Sequence, residues 1–89
     1  MADEKTNSRV AEALRSSYFN DRNDLIDISD GLDDNIHVVI VSRKFDGQHF
    51  GEKHDLIWGI FIDKLAPEDW GKVTLSIGVS PEEIKAGSV

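Results

Sequence analysis

The spacing of apolar residues changes period several times along the chain. From Ser8 to Ser17, Val10, Ala13 and Leu14 fall at i, i+3 and i+4, the repeat of a short amphipathic helix. Leu25, Ile26 and Ile28 predict a first strand, interrupted by Asp24 and Asp27. Ile36 to Ser42 is rich in β-branched residues and bounded by polar ones, which predicts a mostly buried central strand. Between these two runs, Asp30-Gly31 and Asp33-Asp34-Asn35 are turn chemistry, so a hairpin is expected. A second helix begins near Phe50 or Gly51 and ends around Leu65. Its core face carries Ile57, Phe61 and Leu65 at i+4 intervals with Ile60 beside them. Pro67 ends it, because a proline disfavours the helical conformation of the residue before it. Ala66 to Gly71 is a connection with room for one helical turn starting at Pro67. Val73, Leu75 and Ile77 then alternate with Lys72, Thr74 and Ser76, the period of a strand. Ser80-Pro81-Glu82-Glu83 starts a last helix with a hydroxyl cap, a first-position proline and acids in the first turn. That helix reaches about Ala86, and Gly87 ends it.

The order α-β-β-α-β-α describes one small α+β domain over residues 8–87, with residues 1–7 as a flexible lead. A chain of 89 residues buries roughly 60–65% of its unfolded surface, enough for one core but not for a deep enclosed site. Cysteine is absent, so disulfides and all-cysteine metal cages are excluded. No apolar run approaches the roughly 18–20 residues of a membrane span, and the first ten residues are too polar for a secretory leader. A cytoplasmic protein is expected.

Charge sharpens this picture. The net charge is −7, and residues 1–34 hold nine acids against four bases, a net of −5. Such a surface repels nucleic-acid phosphates. Arg43, Lys44 and Lys53 form the one basic spot, and a solvated rim explains it more simply than a phosphate site. No nucleophile elbow, phosphate-cradling glycine loop or paired-histidine metal motif is present. The acids of residues 24–34 lack the ligand spacing of a calcium loop. Ser42 has no base marked for it and reads as a cap or turn residue. Nothing points to an enzyme. Of the three histidines, His37 lies on the central strand and His49 in the following turn. His54 shares a helix face with Ile57 and Trp58, so either a structural contact or metal ligation completed by a partner would account for it.

Val38-Val-Ile-Val-Ser42, then Phe45-Asp-Gly47, then Lys53-His54 at the head of an apolar helix together resemble the signature of the BolA family. Thr74-Leu-Ser-Ile77 followed by Ser80-Pro-Glu-Glu-Ile84 is similar to that family's closing strand and last helix start. The resemblance implies a three-stranded sheet with helices on one face, similar to a class II KH domain. It also implies a non-enzymatic adaptor that pairs with a monothiol glutaredoxin in iron–sulfur trafficking or iron-linked regulation. On that reading Phe45, Gly47, Lys53, His54 and Trp58 form the partner surface. His54 is then a ligand of a 2Fe–2S cluster whose thiolates come from the glutaredoxin and glutathione, and the isolated chain binds none and is a monomer or weak homodimer. The alternative carried by the same fold is a nucleic-acid-binding regulator of stress response or morphology, using Arg43, Lys44 and Lys53. The chain departs from the family pattern in places. Its Ser29–Asn35 loop offers only oxygen ligands where a cysteine or histidine is common, His37 is displaced onto the strand, and Val73 stands where another histidine is common. Lys53-His54-Asp55 replaces an arginine-histidine-arginine run.

Overall fold

A computed structural model describes residues 4–33 and 35–85. The expected end of the last helix at Ala86 and Gly87, and Asp34 of the turn, lie outside the described residues. Helix α1 spans Glu4–Ser17, strand β1 Leu25–Asp30 and strand β2 Ile36–Val41. A 3-10 turn at Arg43–Phe45 leads to helix α2, Phe50–Lys64, and the short helix α3, Pro67–Trp70. Strand β3, Val73–Val79, and helix α4, Pro81–Lys85, complete the chain. No helix among the described residues is long and apolar enough to cross a membrane.

The sheet is mixed, ordered β1-β2-β3, with β1 antiparallel and β2 parallel to β3. The β1–β2 hairpin turns through Asp33, the one non-glycine residue at positive φ (55°) among the described residues, which suits a short polar side chain that tolerates the left-handed region. Ile36, Val38 and Ile40 point from β2 to the helical side and are fully buried, joined there by Ile26 and Ile28 of β1. Val10 and Leu14 of α1 and Ile57 and Phe61 of α2 close the core over them. Helices therefore cover one face, as the i, i+4 stripes require.

Two expectations are corrected. The sequence predicts a flexible lead through residue 7, yet α1 begins at Glu4 and Thr6 is buried. Arg9 of α1 explains the firm anchoring, because its guanidinium makes two hydrogen bonds of 2.8 Å to the buried Asp69 of α3. Such a fork on a carboxylate is among the stronger charge-assisted contacts. The alternation of Val73, Leu75 and Ile77 also implies one shared face, which the structure divides. Ile36 pairs with Val73 and His37 with Leu75, so Thr74 is an extra residue in β3. This bulge leaves Val73 in the core and turns Leu75 and Ile77 onto the uncovered face, where they are 43% and 37% exposed.

Gly78 is where the turn after β2 meets the sheet. A Cβ built there would lie 2.8 Å from the Phe45 ring, which is buried against Phe19 at 5.3 Å between centroids. Gly78→Val should therefore lower stability by about 1–3 kcal/mol through overpacking. Urea unfolding followed by tryptophan fluorescence would measure it, and an unchanged midpoint would refute the close Phe45–Gly78 packing.

Candidate functional site

The first half of α2 gathers the unusual side chains. The helix is opened by His49, whose backbone N–H donates to the Glu52 carboxylate at 3.0 Å, half of a capping box. Ile57 and Phe61 turn inward, and the residues one turn apart at 50, 54, 58 and 62 run along the flank beside that core stripe. Phe50 is 74% exposed, and its ring lies over the exposed His54 imidazole with centroids 6.2 Å apart and planes 24° apart. His54 meets Trp58 at 6.1 Å. Trp58 is half-buried, edge-on to Phe61 and Trp70, and its indole N–H donates to Ser76 Oγ of β3 at 2.9 Å. The result is an aromatic ladder anchored at Trp58 and open to solvent at Phe50.

The other expected partner residues serve the fold. Phe45 is 1% exposed and belongs to the core, so its side chain is not offered to a partner. Gly47 makes the turn, at φ 76°, a conformation glycine takes without strain. Lys53 is 7% exposed and its ammonium donates to the Glu83 carboxylate at 2.5 Å. Glu83 also accepts from the Ser80 N–H at 2.9 Å, while Ser80 Oγ accepts from the Glu83 N–H at 3.3 Å. Lys53 thereby clamps α4 to the first turn of α2. The three expected basic residues do not make a phosphate surface together. Lys44 donates to the Tyr18 carbonyl and lies 3.5 Å from the buried Asp24 carboxylate, and Lys53 is spent on Glu83. Arg43 alone is exposed. Ser42 is a structural residue as expected. Its hydroxyl donates to Asp24 at 2.7 Å and accepts from the Lys44 N–H at 3.1 Å, holding the end of β2 to the segment before β1.

The ligand set implied by the resemblance is split. His54 follows Lys53, whose partner Glu83 lies just past β3, so His54 sits at the Val41/Val79 end of the sheet. The Ser29–Asn35 turn, His37 and Val73 lie at the Ile36 end, roughly 15–20 Å away along strands of six residues. His37 also projects from the uncovered face, against Gly31. A second ligand in that turn could not share a metal with His54. No group of three or more histidine, aspartate or glutamate side chains among the described residues could hold a metal ion. A cluster held by two ligands of this chain does not fit this structure.

No family model matches the chain, and neither a curated protein nor a solved structure matches it significantly.

Phe50 was missed in the sequence as a site residue because it stands at the helix entry, where an apolar residue is readily counted as core. The Phe50–His54–Trp58–Ile62 spacing, offset from Ile57–Phe61–Leu65, was the signal that could have found it.

The clamp beneath this surface titrates. The Lys53 hydrogen bond and then the Ser80 N–H hold the Glu83 carboxyl below its ordinary 4.5, against the smaller opposing effect of burial. A carboxylate with a depressed folded value stabilises fully above 4.5, and the contribution is lost as pH falls through the folded value. Glu83→Gln should lower the thermal midpoint at pH 7, and its gap to the parent should close in acid below 4.5. Asp69, also held low by Arg9, titrates in both proteins and cancels in that difference. A gap independent of pH would refute the clamp.

Proposed function

We propose that the chain is a non-enzymatic docking module of the BolA-like kind, with the outer flank of α2 as its partner surface and a monothiol glutaredoxin as its partner. The observation that carries this reading is the exposed Phe50 ring over His54, backed by a Trp58 fixed to Ser76. An exposed aromatic row offers apolar area to a partner, and aromatic anchors dominate binding energy at interfaces.

In this reading docking comes first and metal second. The chain offers at most the His54 imidazole to a shared cluster, and the other ligands would come from the glutaredoxin and glutathione. The nucleic-acid alternative draws no support from Lys44 and Lys53, whose charges are used within the fold, nor from the net charge of −7.

Calorimetry with a cluster-free monothiol glutaredoxin separates docking from ligation. Phe50→Ala should weaken association by about tenfold or more, the cost of about 1.4 kcal/mol expected for an anchor. His54→Ala should weaken it less and should change the visible spectrum of the cluster-loaded complex. Association unaffected by Phe50→Ala removes this surface from the interface, and an unaffected spectrum removes His54 as a ligand.

A further inference from the structure

A cavity of about 640 Å³ lies between α1 and the junction of α2 with α3, a volume within the roughly 300–1,000 Å³ of small-molecule sites. Ala13 of α1 and Leu65 and Ala66 of the junction give it an apolar lining. The charges around that lining do not balance. Asp69 is 5% exposed, and each of its carboxylate oxygens accepts one hydrogen bond of 2.8 Å from Arg9. That contact holds the carboxyl below its ordinary range, helped more weakly by Lys72 from outside the lining. The Arg9–Asp69 pair thus adds no net charge, while each carboxylate oxygen keeps a second lone pair. Lys64 is offset in the same way by the Asp63 carboxylate at 3.5 Å. Glu12 has no such balance. It stands exposed at the rim, and its carboxylate makes no ion pair among the described residues. The 15-residue α2 also ends here, at Lys64. The last carbonyls of a helix lack intrahelical donors and carry the negative end of its dipole.

We propose that this cavity binds a small organic cation, a primary ammonium carried on an apolar body. The body covers Ala13 and Leu65, and the ammonium donates to Glu12 and to the spare acceptor positions of Asp69. Other ligand classes fit less well. An anion would meet Glu12 and the C-terminal end of α2. A neutral apolar molecule would leave both carboxylates without a new donor. A metal ion lacks a ligand set, since no group of three histidine, aspartate or glutamate side chains among the described residues could hold one. The lysine of a partner protein carries the same ammonium on a plain four-carbon stem, so the cavity's size and apolar lining favour a free molecule with a bulkier body. This site lies at the last turn of α2 and stands apart from the docking reading of its first half.

The test follows the full chain by ¹⁵N NMR during titration with phenethylamine, its neutral counterpart 2-phenylethanol, the anion 3-phenylpropionate, and Nα-acetyl-lysine amide. Phenethylamine should shift the amides of Ala13, Ser16 and Leu65 along saturating curves at millimolar concentration. Glu12→Gln, a change on an exposed residue, should keep the spectrum of the folded chain and weaken that binding by about threefold. Salt at about 0.5 M should weaken it as well. Equal binding of 2-phenylethanol would reduce the cavity to an unselective apolar cleft and overturn the proposal, and tighter binding of 3-phenylpropionate would reverse its sign. Binding of Nα-acetyl-lysine amide as tight as that of phenethylamine would assign the cavity to a protein side chain and also overturn it. So would shifts spread over all the exposed acids, shifts centred on Phe50, His54 and Trp58, or no saturation by about 20 mM.

Discussion

Because β3 runs parallel to β2, the chain must travel back along the sheet before β3 can begin, and α2 is that return. A hairpin cannot make a parallel pair, and crossovers of this kind pack a helix on one face of the sheet. The direction of α2 is then fixed, with its first turn at the end where β2 and β3 finish and its last near where they start. Lys53 reaching Glu83 and Trp58 reaching Ser76 are two readings of the same alignment. This constraint puts His54 beside α4, and it puts the β1–β2 turn at the far end. Metal chemistry that needs both is excluded by topology rather than by residue type.

The same crossover explains how the charged interior residues are spent. A domain of this size has few apolar residues to hold its loops, and three connections are fastened by ion pairs or charged hydrogen bonds instead. Arg9 fixes α3 through Asp69, Asp24 fixes the start of β1 to Ser42 and Lys44, and Lys53 fixes α4 through Glu83. Removing one partner leaves a desolvated charge behind, so these links are costly to break singly even where the pair adds modest net stability. They also withdraw Lys44 and Lys53 from the surface, which leaves an acidic exterior broken by apolar patches.

Much of this was legible in the chain. Ile36–Val41 and the Ile57–Phe61–Leu65 stripe follow from full burial of the helix-covered face of a central strand, partial burial of its other face, and one face of a helix. The Ser80–Glu83 start followed from capping chemistry, and the structure adds that Glu83 also binds Lys53. What stayed hidden depends on long-range geometry. The bulge at Thr74 does not disturb the alternation of letters, yet it reverses the face taken by Leu75 and Ile77. Lys53 looked like a solvent cation because its partner lies 30 positions later. The distance between His54 and the Ser29–Asn35 turn could not be read before the direction of α2 was known.

With the metal reading reduced to one imidazole, the remaining observations converge on the β3 side of the molecule. The bulge exposes Leu75 and Ile77, no strand lies beyond β3 among the described residues, and Trp58 of α2 is hydrogen-bonded to Ser76 of the same strand. Each could be accidental alone, since exposed apolar residues are common on soluble proteins. Their adjacency is harder to dismiss, because an uncharged strand edge beside apolar side chains is the arrangement that folded proteins normally suppress. β1 shows the suppression, with aspartates at its edge, and β3 does not. The contrast is in the side chains alone: aspartates stand on β1, and only uncharged residues run from Val73 to Val79, on the strand that Trp58 of α2 reaches through Ser76.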